Sequence, residues 1–448
     1  MRPLQWILIF SICATLFLTT KAGPGADKIT SLPGQPQVTF QQYSGYITID
    51  EKQKRALFYY FVEAETDPAS KPLALWLNGG PGCSSIGAGA FVEHGPFRPS
   101  GDVFLKNEYS WNKGANMLYL ESPAGVGFSY SGNKSFYSFI NDEITARDNL
   151  AFLENWFKKF PEYFHFFPGH YVPQLAQLIL QSNMRFNLKG IAIGNPLLEF
   201  NTDFNSRAEY WWSHGLISDS TYEAFTSLCN FSQIFRSQSI QNVPLSPVCS
   251  KVATEYSREV TKFIDIYDVT LDVCLPSIVS QSKMLNKLHD KWNIDVCEED
   301  EITKYLNRKD VQVALNAKLI GVSRWNICSD VINYELQNLE VPTIHLLGML
   351  AKSGIRVLVY SGDQDSVIPL IGTRKLVYEL AREVGLKITV PYRPWFEGKQ
   401  IAGWTQVYGD FLSFATVRGA GHGVPFTQPE RSLVLFKGFL SGEPLPEA

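Results

Sequence analysis

One apolar segment that ends in a glycine-rich turn constrains the fold more than any other part of the chain. Residues 74–77 are apolar without a break, which is typical of a strand buried in the middle of a parallel sheet. The run stops at Asn78 and is followed by Gly79, Gly80 and Pro81. Glycines let backbone N–H groups approach a ligand, and α/β sheets bind ligands where their strands end, so this turn predicts an anion or oxyanion site. The alternative interpretation is a tight turn that binds no ligand, because such turns have the same residue composition.

Strand-like and helix-like segments alternate along the chain. Residues 43–49 and 56–62, rich in aromatic and β-branched side chains, predict an antiparallel pair. Other short apolar runs predict strands, and apolar residues at helical spacing predict helices. The predicted strands are 117–120, 190–193, 357–360 and 412–417, and the predicted helices are 144–160, 172–180 and 429–440. This alternation indicates a mostly parallel sheet that is covered on both faces.

The pattern changes between about residues 200 and 341. This region is polar and helix-like, and it holds five of the six cysteines that follow the N-terminal segment. It predicts an insertion, or cap, over the active-site end of the sheet. The cysteine spacing fits no metal site, so we expect no metal ion and instead expect disulfides formed in an oxidising compartment.

The N-terminus predicts a targeting segment. Arg2 precedes an apolar run at residues 4–18 that is too short to span a bilayer comfortably, so residues 1–26 are interpreted as a signal peptide, with a membrane anchor as the alternative. No second apolar run of spanning length follows, so we expect no membrane association once the signal is removed. The net charge of −4 and the lack of a long basic run argue against nucleic-acid binding.

Three segments resemble hallmark sequences of the serine carboxypeptidases, the family that includes cathepsin A and many plant enzymes. They are residues 76–85, 121–130 and 305–315, and the likeness extends from about residue 32 to residue 445. The resemblance implies an α/β protein with the α/β-hydrolase fold and a helical, disulfide-bearing cap insertion. It also implies release of C-terminal amino acids from peptides by Ser-His-Asp acyl-enzyme chemistry.

The same resemblance implies how the chain is divided. The hydrolase core comprises residues 27–199 and 342–448, and the cap comprises residues 200–341. The implied disulfides are Cys83–Cys328, Cys229–Cys249 and Cys274–Cys297. The implied partners are peptide or protein C-termini and, as in many relatives, a second copy of the chain, and no cofactor is expected.

Two members of a catalytic triad have counterparts in the sequence. Hydrolases of this fold carry the nucleophile, the acid and the histidine in that chain order. By resemblance, Asp365 is the acid that orients the imidazole, and His422 is the general base. Asp363 is the alternative acid, although a local turn former is the simpler interpretation of that residue.

The resemblance also implies a binding site for the substrate. Gly80 corresponds to a donor of the oxyanion site. Asn78, Gly79, Glu93 and a second glutamate grip the C-terminal carboxylate of the peptide in this family. Two carboxyl groups that share one proton explain why the family works at acidic pH.

The nucleophile segment of the family is missing from the sequence. Serine carboxypeptidases carry Gly-Glu-Ser-Tyr-(Ala or Gly)-Gly-His-Tyr-Val-Pro, whereas residues 160–173 here read Phe-Pro-Glu-Tyr-Phe-His-Phe-Phe-Pro-Gly-His-Tyr-Val-Pro. The Gly-Glu-Ser-Tyr core is absent between Phe167 and Gly169, and no Gly-x-Ser-x-Gly occurs in the chain. The serine, the second glutamate and the second oxyanion donor are lost together. Because loss of a triad serine costs on the order of 10⁶ in kcat, we expect this chain to be inactive.

Three interpretations fit this loss. The chain is a splice form or gene-model variant of an active enzyme, a non-catalytic pseudoenzyme that binds peptide C-termini, or an acyltransferase-type relative, which needs the same serine. Residues 163–167 predict a short central strand. His165 is interpreted as a histidine at the edge of the core, and His170 as the helix-start residue of the family motif.

Three further positions bear on binding and compartment. Gly423 stands where family peptidases more often carry Glu or Met, which bears on how the terminal carboxylate is bound. Asn133 and Asn230 begin Asn-x-Ser tripeptides and are candidate glycosylation sites. We expect a protein of the secretory pathway that is delivered to the extracellular space or to a vacuole or lysosome-like compartment.

Overall fold

A computed structural model describes residues 24–101, 103–163, 172–184, 186–241, 243–275 and 294–448. Its strands are β1 (Lys28–Ile29), β2 (Gln42–Asp50), β3 (Arg55–Val62), β4 (Leu73–Trp76), β5 (Phe97–Ser100), β6 (Val103–Lys106), β7 (Asn116–Leu120), β8 (Tyr130–Ser131), β9 (Gly190–Gly194), β10 (Arg356–Gly362), β11 (Ile388–Glu397), β12 (Gln400–Tyr408) and β13 (Leu412–Val417). Its α-helices are α1 (Asp142–Lys159), α2 (Val172–Gln181), α3 (Phe200–Ser213), α4 (Asp219–Ser227), α5 (Phe231–Phe235), α6 (Pro247–Val260), α7 (Glu298–Leu306), α8 (Lys309–Ala314), α9 (Ile344–Lys352), α10 (Leu370–Glu383), α11 (Val424–Thr427) and α12 (Pro429–Ser441). None of the described helices has both the length and the apolar character needed to cross a membrane.

Several predictions from the sequence lie outside the described residues. They are most of the predicted signal peptide, the missing nucleophile core between Phe167 and Gly169, the strand predicted at residues 163–167 except its first residue, His165 and His170. Tyr163 closes a short 3₁₀ turn, Pro161–Tyr163, rather than starting a strand.

The first sheet has the strand order β1-β2-β3-β7-β4, with β8 also beside β3. The antiparallel pair predicted at residues 43–49 and 56–62 is confirmed as β2 and β3. The strand β4 is buried along its whole length and lies parallel to β7, with Leu75 opposite Leu118. The glycine-rich turn therefore leaves the sheet at the carboxyl end of a buried parallel strand.

The second sheet has the order β11-β12-β13-β10-β9. The strand β10 lies between β9 and β13 and is parallel to both of them. The antiparallel hairpin of β11 and β12 is absent from the sequence prediction. Most of β11 is exposed or half-buried, so this strand lacks the apolar run or strict alternation that marks a strand in a sequence.

The expectation of a mostly parallel sheet is wrong for the described strands. Antiparallel pairs predominate at the outer side of each sheet, where short links of a few residues join β2 to β3 and β11 to β12. Such short links permit only antiparallel pairing, whereas parallel strands need long crossovers. Parallel pairs occur between β4 and β7 and among β9, β10 and β13, which are the strands nearest the site.

Helix α2 packs against the cores of both sheets. Its Leu175 and Ile179 belong to the core of the first sheet, and its Val172 and Ala176 belong to the core of the second. In the described part of the chain the first sheet ends at β4 and the second ends at β9. The buried strand predicted at residues 74–77 is observed as β4, and among the described residues it has a strand partner on one edge.

The cap is fastened to the glycine-rich turn. Backbone hydrogen bonds run from Ser84 to the carbonyl of Ile327 (2.7 Å) and from Ser329 to the carbonyl of Gly82 (2.9 Å). A disulfide joins the same two segments. The three disulfides, which have the pairing that the resemblance implies, are Cys83–Cys328, Cys229–Cys249 and Cys274–Cys297.

The buried carboxylate of Glu121 connects the turns beneath the cap. Its Oε1 accepts hydrogen bonds from Ser84 Oγ (2.5 Å) and Trp325 Nε1 (3.1 Å), and its Oε2 accepts one from the Phe128 N–H (2.6 Å). A Cβ at Gly127 would lie 1.9 Å from Oε1, so this position requires glycine. Burial raises the pKa of Glu121 to about 7, although the three donors oppose the rise.

This buried acid predicts a particular pH dependence of stability. Between its ordinary pKa of 4.5 and its folded pKa of about 7, the folded chain binds more protons than the unfolded chain at Glu121. The free energy of unfolding therefore falls as the pH rises through this window, by at most about 1.4 kcal/mol per pH unit. We expect Glu121→Gln to remove this contribution. The free energy of unfolding, measured by urea unfolding at several pH values, should then fall less steeply with pH.

The exposed Glu379→Gln is the control, because it changes the net charge equally on a surface helix. An unchanged slope in the Glu121 variant, or an equal change in the control, would contradict the assignment.

Candidate active site

Asp365 and His422 meet at the carboxyl ends of two neighbouring strands. Asp365 lies in the turn that follows β10, and His422 lies in the loop that follows β13. Because β10 and β13 are parallel partners, both loops leave the sheet at the same edge. His422 Nδ1 lies 2.8 Å from Asp365 Oδ2. The geometry is that of an imidazole oriented by a buried carboxylate.

The carboxylate of Asp365 is fully buried and has donors at both oxygens. Oδ1 accepts a hydrogen bond from the Val367 N–H (2.7 Å), and Oδ2 accepts one from the Ile368 N–H (3.2 Å). Asn195 Nδ2 also donates to Oδ2 (2.8 Å). These bonds fix the direction of the carboxylate before any ligand binds.

The sequence reasoning missed Asn195. Its own side chain is held by the Gly362 N–H, which donates to its Oδ1 (3.2 Å). The signal was available, because Asn195 directly follows β9 just as Asn78 follows the apolar run 74–77, and polar residues at the ends of neighbouring parallel strands converge.

His422 is partly buried and carries a raised pKa. Burial by itself lowers the pKa of the imidazole, but the charge and hydrogen bond of Asp365 outweigh it, and Glu93 adds to the rise. Its backbone N–H donates to the carbonyl of Tyr267 (2.7 Å), whose ring stands edge-on 5.4 Å away. Within the described ranges, no group forms a hydrogen bond with His422 Nε2.

A segment of the cap, the cap strap (residues 265–269), lies across the loops that carry Asp365 and His422. The backbone N–H and the hydroxyl of Ser366 both donate to the carbonyl of Ile266 (3.1 and 2.7 Å). The N–H of Val269 donates to the carbonyl of Gln364 (3.1 Å). Nothing in the sequence pattern marks this segment, because its hydrogen bonds to these loops are made by its backbone groups.

Asp363, the alternative acid, does not contact His422. Its Oδ1 accepts hydrogen bonds from the Gly419 N–H (2.6 Å) and from Gln364 Nε2 (2.9 Å). It ties the loop after β10 to the loop after β13, as a turn-forming residue does.

The glycine-rich turn presents free backbone donors. Gly79 and Gly80 are exposed, and their N–H groups donate to no described group. Gly80 has φ of 143°, and a Cβ there would lie 2.9 Å from Cys83 Sγ. The positive φ and the lack of space for a Cβ both favour glycine at position 80. Because glycine has no side chain, a ligand can approach the backbone N–H groups of the turn.

Asn78 and Glu93 form a pair beside this turn. Trp76 Nε1 donates to Asn78 Oδ1 (2.5 Å), which directs Asn78 Nδ2 to Glu93 Oε1 (2.7 Å). Burial raises the pKa of Glu93, although the hydrogen bond from Asn78 and the nearby His422 oppose the rise. The predicted carboxylate-binding residues therefore lie together.

One cavity of about 720 Å³ connects these groups. Gly79, Gly80, Glu93, His422 and Gly423 all line it. Asn78 does not line the cavity itself but donates a hydrogen bond to Glu93, which does. The structure thus collects an acid–imidazole pair, free N–H donors and a buried carboxyl group around one space.

Residues 33–442 match the family model described as serine carboxypeptidase. The chain belongs to this family. Serine carboxypeptidase-like 45 from Arabidopsis thaliana is 60% identical over 461 aligned positions, covering 100% of both chains. Serine carboxypeptidase-like 46 from the same plant is 61% identical over 435 positions, covering 94% of this chain and 93% of the relative. The alignment with Serine carboxypeptidase-like 45 has 461 positions, whereas the present chain has 448 residues. The present chain therefore has gaps in that alignment.

The fold agrees with a solved structure of low sequence identity. The crystal structure of Kex1(delta)p, a prohormone-processing carboxypeptidase from Saccharomyces cerevisiae, superposes with a TM-score of 0.72 at 24% identity. The match covers 94% of this chain and 96% of that chain. The expected α/β-hydrolase fold with a helical, disulfide-bearing cap is therefore confirmed.

The contact between Asp365 and His422 predicts a measurable pKa change. Asp365→Asn removes the negative charge that raises the pKa of His422, so we expect that pKa to fall below its value in the unaltered chain. The measurement is an NMR titration of the imidazole resonance, assigned with His422→Gln. Asp363→Asn is the matched control in the same turn and is expected to leave the pKa of His422 unchanged. An unchanged pKa in the Asp365 variant would contradict the assigned contact.

Proposed function

We propose that this chain binds the C-terminus of a peptide in the cavity beside His422 and does not hydrolyse it. The observation that carries the proposal is the sequence between Phe160 and Pro173, where both flanks of the family motif are present and its Gly-Glu-Ser-Tyr core is not. Without the serine there is no atom to form an acyl-enzyme. The gaps in the alignment with Serine carboxypeptidase-like 45 are in keeping with a deletion.

The described strands show where a nucleophile of this fold would lie. In α/β-hydrolases the nucleophile sits on the turn between a strand of the sheet and the following helix. Helix α2 lies against both cores, yet in the described residues no strand joins the open edges of β4 and β9. The carboxyl ends of these strands, at Gly79 and Gly194, line the same cavity.

The remaining groups suit recognition of a carboxylate. The open N–H groups of Gly79 and Gly80 are donors for an anion. Glu93, whose pKa is raised by burial, is more easily protonated than an ordinary glutamate and can then donate to a carboxylate. The second glutamate of the family is missing from the sequence, so Glu93 and Asn78 act without it. Gly80 is the one oxyanion donor that remains of the two.

The proposed setting is the secretory pathway, either outside the cell or in a vacuole-like compartment. Three disulfides suit an oxidising environment. Asn133 is exposed at the surface, as a glycosylation site must be, and Asn230 caps helix α5 with its side chain accepting from the Gln233 N–H. Glycosylation at these two residues, removal of residues 1–26 and homodimer formation belong to this proposal.

A splice form or gene-model variant of an active carboxypeptidase is the alternative. The same observation favours it, because the loss is confined to one short segment between matching flanks. Transcript reads that span codons 160–173 distinguish this alternative from the non-hydrolysing protein. A mature message with a Gly-Glu-Ser codon run establishes the alternative, and reads that match the present sequence support the non-hydrolysing protein.

The direct test is restoration of the missing segment. We expect the chain as printed to show no hydrolysis of a blocked dipeptide at mildly acidic pH. A chain in which residues 164–169 are replaced by the corresponding segment of Serine carboxypeptidase-like 45 is expected to gain hydrolysis, on the order of 10⁶-fold in kcat. Changing the grafted serine to alanine is the matched control, and it should abolish the gain. Hydrolysis by the chain as printed that Asp365→Asn abolishes would contradict the proposal.

A further inference from the structure

A buried arginine of the cap lies against the turn that carries Asp365. Arg207, on α3, is 8% exposed and is the one lysine or arginine among the described residues that line the cavity beside His422. Its guanidinium carbon lies 4.5 Å from the ring centre of Phe204 and 4.6 Å from that of Phe231. Burying a cation costs free energy, and the two aromatic rings offset part of this cost.

Arg207 holds a peptide group whose other side binds Asp365. Arg207 Nε donates to the carbonyl of Val367 (2.7 Å), and the N–H of Ile368 donates to Asp365 Oδ2 (3.2 Å). This carbonyl and this N–H belong to one planar peptide group, and they point in opposite directions because the peptide bond is trans. A charged donor at the carbonyl polarises the group and strengthens the hydrogen bond on its N–H side. Arg207 therefore helps to fix the carboxylate without contacting it.

The carboxylate oxygen that this peptide group holds is the one that orients the imidazole. Asp365 Oδ2 lies 2.8 Å from His422 Nδ1. A row of contacts thus runs from Arg207 through the peptide group and Asp365 to His422. Tyr210, nearly one turn after Arg207 on α3, donates its hydroxyl to the carbonyl of Asp363 (3.0 Å). Helix α3 therefore holds the turn of residues 363–367 at both of its ends.

The charge of Arg207 also acts on the imidazole. Burial lowers the pKa of Arg207 to about 10, which leaves the guanidinium charged at neutral and acidic pH. Burial lowers the pKa of His422, Asp365 and Glu93 raise it, and the positive charge of Arg207 lowers it. The titratable and charged groups that face Arg207 and His422 from the elements around them are Asp203 on α3, Tyr256 on α6, Tyr267 and Asp268 in the cap strap, Asp365 and Glu93.

We propose that Arg207 is a positioning residue of the acid–imidazole pair, which holds the peptide group that binds Asp365 and whose charge favours the neutral imidazole of His422. A neutral imidazole that donates Nδ1–H to the carboxylate has Nε2 as a hydrogen-bond acceptor. With a complete triad this is the form that takes the proton of the nucleophile, and in this chain it can accept a hydrogen bond from a ligand. The inference goes beyond the proposed function, because it stands on contacts within the chain and holds whether or not a peptide is cleaved.

Two variants of the chain as printed separate the charge of Arg207 from its hydrogen bond. Arg207→Gln removes the charge, so we expect the pKa of His422 to rise above its value in the unaltered chain. Arg207→Lys keeps the charge, so the pKa of His422 should not rise. The measurement is an NMR titration of the imidazole resonance, assigned with His422→Gln. The direction expected for Arg207→Gln is opposite to that expected for Asp365→Asn.

Hydrogen exchange of the Ile368 amide tests the held peptide group. The ammonium group of lysine stands on a flexible stem and does not reproduce the fixed Nε–H of arginine. We expect the Ile368 amide to exchange at least about fivefold faster in Arg207→Lys than in the unaltered chain, measured by NMR at the same pH. Because lysine keeps the charge and much of the volume of arginine, this measurement still decides the proposal if Arg207→Gln does not fold.

Arg236→Gln is the matched control. Arg236 is another cap arginine over a phenylalanine ring of α3, with its guanidinium carbon 4.8 Å from the ring centre of Phe200, but it is not among the described residues that line the cavity. This variant should leave both the pKa of His422 and the exchange rate of Ile368 unchanged. Circular dichroism establishes that each variant is folded.

Three results would overturn the proposal. The first is a pKa of His422 that stays the same or falls in the folded Arg207→Gln variant. The second is an equal rise of this pKa in Arg207→Lys, which would assign the change to disturbed packing instead of charge. The third is an unaltered exchange rate of Ile368 in the lysine variant. Each measurement is made without a peptide, so none of these results bears on the proposed function.

Discussion

The parallel pairing of β10 with its two neighbours is the constraint on which the site depends. Backbone hydrogen bonds set Tyr360 beside Gly194 on one side and Gly362 beside Val417 on the other. The three strands therefore end at one edge, and the residues that follow them, Asn195, Asp365 and His422, must converge. Residues far apart in the chain form one hydrogen-bonded row because strand pairing brings their loops together.

The same constraint gives the missing segment its significance. A nucleophile that faces His422 Nε2 has to leave the sheet at this edge, between the strands that carry the glycine-rich turn and Asn195. In the described residues β4 and β9 are the two strands with an open edge toward that position. The scaffold thus keeps the contact between Asp365 and His422 and the glycine-rich turn, while the sequence lacks the Gly-Glu-Ser-Tyr core of the family motif. Under the proposed function, such a scaffold binds a peptide without hydrolysing it.

The sequence was informative wherever a buried strand ended in polar residues. The glycine-rich turn was found that way, whereas Asp365 and His422 were assigned by resemblance to the family. Asn195 could have been found by the same rule as the glycine-rich turn. The hairpin of β11 and β12 was missed because most residues of β11 are exposed or half-buried and carry no apolar pattern. The cap strap was missed because its hydrogen bonds to Gln364, Ser366 and His422 come from its backbone groups, which sequence composition does not encode.

The most direct measurement is covalent labelling of the folded chain with a fluorophosphonate, read by intact mass spectrometry. Such reagents react readily with a serine whose hydroxyl is activated by an adjacent general base. The account predicts no adduct on the chain as printed and one adduct per molecule on the chain with the restored segment. A single adduct on the chain as printed, at a serine next to His422 and lost in His422→Gln, would contradict it.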